Sequence, residues 1–351
     1  MGRDLQRLAQ TWQEEANDRF SLEVDPLLES LCDRHAIEAL RTQTTDGTTL
    51  SAALIERRCH KHPEVAQIFA HNLARTEAAG VATPSHTGWT LIADDEGQPG
   101  AADIWNSLLR EYPDYFPAIY AAGRVGLHLP QLLQGSARID QVVPSAVTPA
   151  AIGRMVLGAE RSERMAGVLA QLVRTAASRR RAGQRLAILE IAKDSPIFGP
   201  ACCAALDFNV ADYRYASTDS QALEDARHTL QDSYPAASVA LIGDETTPNA
   251  NERYDLVLLH CEFDTLEASQ RALRYARECL KSDGKLLLRR THPASWVDFI
   301  FGANSTWGLG ADDNTASPLA PAAYWLARLQ EHGLACAPLI EFTPGSQSGP
   351  T

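Results

Sequence analysis

The sequence predicts an α/β protein whose second half is an open, mostly parallel sheet covered by helices, preceded by a mostly helical region. Three observations carry this. From residue 185 onward, short apolar runs alternate with helix-like segments, as a parallel sheet buried on both faces requires. Residues 185–199, RLAILEIAKDSPIFG, read as strand, acid, turn and helix start, the order in which a nucleotide-binding α/β domain opens. Before residue 130, apolar residues recur instead at three- and four-residue spacing, the period of a helix with one buried face.

In chain order, LQRLAQTW, VDPLLESLCDRHAIEALR, HPEVAQIFAHNLARTEAAG and AADIWNSLLREYP are predicted helices. WTLIADDEGQPG (89–100) reads as a strand running into a polar turn, hence a small winged or hairpin element. Residues 117–150 are rich in Pro and Gly and are expected to form a connecting passage, followed by a long helix over about 151–182. Strands are expected at 186–192, 213–217, 238–243, 254–260 and 285–290, with helices at 198–207, 219–230 and 266–282 between them. A last helix (321–333) precedes a strand near 337–343. The expected domains are a helical N-terminal subdomain with linker (1–150), an α/β core (151–345) and a flexible tail (346–351).

Composition narrows the function. The chain has 351 residues, 45% apolar and 22% charged, and no apolar run approaches the ~20 residues of a membrane span. Its first twenty residues are too charged for a signal peptide. A net charge of −12 argues against a general binder of nucleic acid or membrane surfaces. Seven cysteines, with no CxxC pair, support neither a disulfide frame nor a zinc site. A cytoplasmic setting and no metal are therefore expected.

The second half resembles an S-adenosylmethionine-dependent methyltransferase, and more narrowly the C-methyltransferase domain embedded in modular polyketide synthases. YDLVLLHCEFDTLEASQRALRYARECLKSDGKLLLRR is similar to that family's strand, loop, helix, turn and strand. YRYASTDSQALEDAR resembles its second strand and helix, and WVDFIFGANSTWG its "FG…GWW" segment, with Trp307 kept. LPQLLQGSARIDQVV is similar to the passage joining the family's helical lid to its core. The resemblance implies a Rossmann-like class I methyltransferase core with a mostly helical N-terminal lid. It also implies a place within a multidomain synthase, beside neighbouring domains and within reach of an acyl carrier protein.

The departures from the family fall on its chemistry. Its first turn carries glycines that let the cofactor sit against backbone; here the turn after Glu190 reads Ala192, Lys193, Asp194, Ser195, Pro196. The family's ribose-binding acid at the end of the second strand aligns with Ser217, and Asp219 lies two residues later. Asp244 is a further vestigial position of the cofactor site. The family's general-base histidine aligns with Asp264 and the glutamate that orients it with Arg290, so an Asp264–Arg290 ion pair is expected in place of the dyad. Losses at turn, ribose acid, base and orienter imply a degenerate pseudo-C-methyltransferase with no bound cofactor and a structural role.

Two enzymatic alternatives stay open. One is a repurposed proton-transfer domain, epimerase-like on a carrier-bound acyl thioester, using His260, Glu262 and His292. The other is an active C-methyltransferase with an atypical cofactor loop. His260 and His292 also read as partly buried residues of a vestigial cleft, and His60 and His62 as surface residues. The cluster Arg179, Arg180, Arg181 and Arg185 reads either as a dock for an acidic carrier protein or as a solvated helix end. Trp105, Trp296, Trp307 and Trp325 read as packing, and Cys202 and Cys203 as small buried residues.

Overall fold

Helix formation in the first half follows the spacing of its apolar residues. The computed structural model describes residues 19–92, 97–181, 183–193, 196, 198–242, 248, 252–261, 265–290, 294–304, 307, 317 and 319–335. Helix α1 (Asp25–Arg41) has Pro26 in its first turn, where the missing N–H costs nothing, and buries Leu28, Leu31, Cys32, His35 and Leu40 at helical intervals. Strand β1 (Thr49–Ser51), helix α2 (Ala52–Lys61) and helix α3 (Val65–Ala78) follow. Strands β2 (Ala82–Ser85) and β3 (Gly88–Leu91) form a hairpin, and β1 joins it in an antiparallel sheet of order β1-β3-β2. Sequence shows only the β3 part of this sheet, because β1 and β2 are too short and polar to register as strands.

Helix α4 (Ala101–Glu111) leads to α5 (Phe116–Gln134), which corrects the expected connecting passage. The glycines that suggested a loop are contact points. A Cβ on Gly123 would lie 2.1 Å from the Trp105 ring, and one on Gly126 would lie 2.1 Å from the His35 ring. Small residues here let α5 approach α4 and α1 closely, so low propensity is overridden by packing. The helix ends at Gly135, whose φ of 70° is left-handed and favours glycine. A short α6 (Ile139–Val142) and the thirty-residue α7 (Pro149–Ser178) complete this half.

The second half is built on five parallel strands: β4 (Leu186–Ala192), β5 (Ala211–Ser217), β6 (Ser238–Leu241), β7 (Tyr254–His260) and β8 (Leu280–Arg289). Their order is β6-β5-β4-β7-β8, with the first strand central. Helices α8 (Gly199–Ala204), α9 (Ser220–Ala226) and α10 (Leu266–Cys279) lie between strands in sequence. All seven residues of β7 are buried, as an apolar central strand requires. One face packs Ile188, Tyr213, Tyr215 and Leu258 with Phe198 and α7 residues Leu169 and Val173. The other packs Leu189, Ile191, Val257 and Leu259 against Leu273 and Trp325. β8 starts earlier than its apolar run because its pairing with β7 is irregular between Leu280 and Lys285. Gly284 makes that possible, since a Cβ there would lie 2.9 Å from the Tyr254 carbonyl oxygen. The last strand expected near 337–343 lies outside the described residues.

Beyond β8 come α11 (Ser295–Phe301) and α12 (Ala322–Glu331). The described residues fall into two compact units, 19–156 with 294–317, and 157–290 with 319–335. Residues 294–317 were expected in the core and group instead with the helical unit. The reason is specific anchoring: Trp296 Nε1 donates to Asp25 at 2.7 Å, Ser295 Oγ to Glu29 at 2.7 Å, and Gln67 to the Trp307 carbonyl at 2.8 Å. Trp296 and Trp307 are buried, as expected for packing residues. Among the described residues, no helix is long and apolar enough to cross a membrane.

Candidate functional site

Chain order reverses direction beside β4, and open α/β sheets bind ligands outside the carboxyl ends of strands at such a point. Register fixes which residues meet there. Ala192 pairs with His260, and His260 with Arg289, across β4, β7 and β8; Glu190 lies opposite Tyr215 and Leu258. Strand alternation then puts Glu190, His260 and Arg289 on one face.

Glu190 is 1% exposed. Its Oε2 accepts a 2.5 Å hydrogen bond from the Tyr213 hydroxyl, and its Oε1 lies 3.2 Å from His260 Nε2. That second approach has ion-pair distance without hydrogen-bond alignment, so Oε1 and both His260 ring nitrogens make no hydrogen bond among the described residues. Burial, reinforced by the Glu190 charge, pushes the Tyr213 hydroxyl and the Cys202 thiol well above their ordinary values, and the Cys203 thiol up to about 12. Tyr213 is therefore a neutral donor and both thiols are inert. Phe198 caps this group: its ring centroid lies 5.3 Å from that of His260, and the Arg289 guanidinium lies 4.6 Å over it.

The first turn is tied to the second strand from within. Ser217, fully buried, donates to the Lys193 carbonyl at 3.2 Å and accepts the Asp219 N–H at 3.1 Å. The Tyr215 hydroxyl reaches the Ala192 carbonyl at 3.5 Å. Asp219 is the N-cap of α9, its Oδ1 accepting from Gln221 N at 2.7 Å and Ala222 N at 3.0 Å. Asp194, Asp244, Glu262, Asp264 and His292 lie outside the described residues, so the expected Asp264–Arg290 pair has one member there. Arg290 donates to the Cys261 carbonyl and, at 2.9 Å, to the Ser269 hydroxyl, and stacks 4.3 Å over the Trp325 ring. Just past the end of β8, it thus lies with Trp325 on the Leu189 and Val257 face, opposite Arg289, Glu190 and His260.

The basic cluster is partly consumed at the sheet's amino edge. Arg180 meets the buried Asp255 at 2.6 Å, and Arg185 meets Asp212 at 2.5 Å and donates to the Phe208, Asn209 and Ala211 carbonyls. Asp255 also accepts from Ala187 N and Lys281 Nζ, each at 2.9 Å. Burial alone would raise its pKa, but these donors outweigh burial and hold the carboxyl below its ordinary value.

Sequence reasoning missed Tyr213, Phe198 and Arg289 at the carboxyl edge, and Arg75 in the helical unit. Arg75, its side chain 5% exposed, binds Asp33 at 2.7 Å, Glu29 at 3.0 Å and Ser295 at 2.7 Å. The one available signal for Tyr213 was its place in a strand four residues before Ser217, on the same face. His60 is exposed and His62 half-buried, and among the described residues no group of His, Cys, Asp and Glu could hold a metal.

The fold is methyltransferase-like, a Rossmann-like class I core with a parallel central sheet. Within that class the chain resembles the C-methyltransferase domains of polyketide synthases. It is similar over 99% of its length, and 96% of the other's, to the crystal structure of the CurJ carbon methyltransferase (TM-score 0.71, 18% identity). The citrinin polyketide synthase CMeT domain gives a TM-score of 0.68 at 18% identity, covering 94% of this chain and 90% of that one. The DszA carbon methyltransferase gives 0.64 at 19% identity, covering 90% and 85%. A stretch of 125 residues, 35% of this chain, is 28% identical to the non-reducing polyketide synthase azaA of Aspergillus niger. The epaA synthase of that species matches equally, and the stretch spans 5% of each synthase's length. No protein-family model matches the chain.

Proposed function

We propose that this chain is a C-methyltransferase-type domain of a polyketide synthase that has lost methyl transfer and serves the synthase as a structural unit. One observation carries the reading: Ser217, at the position aligned with the ribose-binding acid, is fully buried and holds the first turn to the second strand. A ribose needs acceptors facing it, and here the hydroxyl's proton goes to the Lys193 carbonyl while Asp219, two residues further along the chain, accepts two helix N–H groups. These residues do not fit S-adenosylmethionine. The internal pairing of Glu190 with Tyr213 and His260 supports the same conclusion, as does the seat of Phe198 over His260. A folded unit without a working site still offers its surfaces and its rigidity to neighbouring domains.

A second reading, proton transfer on a carrier-bound acyl chain, is favoured by the carboxylate beside His260. Burial of both groups weighs against it. Two experiments address these readings. Titration calorimetry with S-adenosylmethionine is expected to give no heat of binding, and an acyl thioester incubated with the protein in heavy water is expected to gain no α-deuterium above background. Micromolar binding would revive the active methyltransferase, and deuterium gain that needs His260 would establish the epimerase-like reading.

A further inference from the structure

The cluster on the Glu190 face is built like an occupied site. A buried carboxylate with one oxygen unpaired is costly, so something with positive edge or N–H character is needed beside Oε1. In this chain the neighbour of Oε1 is the His260 ring, 9% exposed, its Nε2 3.2 Å away at ion-pair distance and not aligned as a hydrogen bond. The ring is held from a second side by Phe198, itself 2% exposed, with Arg289 stacked across the phenyl face. Helix α8 closes tightly on the same carboxylate: a Cβ on Gly199 would come within 3.1 Å of Glu190 Oε2 and 2.9 Å of Leu230 Cδ2. Ala192, the register partner of His260 on β4, is small and leaves the ring its space.

We propose that the His260 imidazole is a built-in occupant of the carboxyl-edge site, clamped between Glu190 and the Phe198–Arg289 stack. This deepens the scaffold reading and rests on it: the site is closed by a side chain of the chain itself, and that closure helps hold the fold together. Removing the ring leaves an opening the size of an imidazole, lined by the Glu190 carboxylate and the Phe198 ring. The ligand class suited to such an opening is a small planar nitrogen heterocycle with an N–H.

The test is chemical rescue in the intact chain. His260→Gly is expected to lower the melting temperature by about 5–10 °C, the scale of losing a large buried side chain from a unit of this size. Free imidazole at about 10–50 mM is expected to restore most of that loss, a weak affinity being all that so few atoms supply. Imidazole is expected to leave the unsubstituted protein unchanged and to fail on His260→Gly/Phe198→Ala, where the clamp is gone. His260→Gln, whose amide reaches toward Glu190, is expected to melt within a few degrees of the parent. If His260→Gly does not fold, His260→Ala is read in the same assay. A glycine or alanine variant as stable as the parent would overturn the proposal, and so would one whose melting imidazole does not raise. A rise in the parent's melting temperature with S-adenosylmethionine would instead overturn the scaffold reading, and the imidazole result would then be judged separately.

Discussion

The His35 imidazole is buried against Gly126 of α5, and burial lowers its pKa to about 4. Asp298 is half-buried, and the burial of its carboxyl raises its pKa to about 6, although hydrogen bonds from Ser317 and Trp307 and the nearby Arg75 pull the other way. Both belong to the helical unit, and their linkage to stability has opposite signs. Neutral His35 contributes stability that is full above its unfolded value of about 6.5 and is lost as the pH falls toward 4. Asp298 favours its protonated form when folded, so its contribution is full below about 4 and is lost as the pH rises through 6. Over the same window one gain offsets the other. Asp298→Asn keeps an acceptor for Trp307 and Ser317 but has no charge to bury. It is expected to be more stable than the parent by about 1–2 kcal/mol at pH 7.5, with the advantage gone by pH 4. Urea unfolding of both proteins at the two pH values measures this directly. A difference that does not change with pH would mean that Asp298 binds its proton equally well folded and unfolded, so that folding does not raise its pKa.

At the scale of elements, the amino edge of the sheet is held by Asp255, the second residue of β7, which joins β4 through Ala187 N, α7's exit through Arg180, and β8 through Lys281. Asp255→Asn is expected to cost about 2–3 kcal/mol, less than a fully buried pair because both basic partners are partly exposed. The loss is expected above the carboxyl's unfolded pKa and to shrink as acid protonates the parent's own Asp255. Guanidinium titrations at neutral and acid pH check it, and an equal cost at both would assign the effect to packing. Strands β4 and β7 were legible to the residue because LAILEIA and YDLVLLH are almost wholly apolar and bounded by turn residues. Helix α5 was not legible, since Gly123, Gly126 and Pro130 mark a loop by propensity and only the neighbouring Trp105 and His35 rings explain them. The candidate site divides the same way. Glu190, Ser217 and His260 could be placed at strand ends by counting, whereas the Phe198–His260–Arg289 contact depends on strand register and on which face each residue takes, and neither is written in a local pattern.

For the whole chain, the scaffold reading makes output of the parent synthase depend on how well this unit is folded and not on any reaction inside it. A graded series separates these. Ile188→Val, Leu273→Ala and Leu258→Ala remove methyl or larger groups from fully buried positions on the two faces of the sheet. They are expected to cost about 1 kcal/mol for the valine and about 3 kcal/mol for each alanine, and each 1.4 kcal/mol raises the unfolded population tenfold. In the proposed synthase, assayed at a temperature where the unsubstituted unit begins to unfold, product yield is expected to fall a little for the valine variant and much further for both alanine variants, while mass spectrometry finds the methyl pattern of the remaining product unchanged. A structural unit acts through its folded fraction alone, so yield and stability must move together whichever face is weakened. An enzymatic unit would betray itself by a product missing one methyl group, or with altered configuration at one carbon, before its yield fell. Yield that ignores the alanine variants at a temperature where they are mostly unfolded would remove the structural role, because a neighbouring domain held in place by this unit would have lost that support.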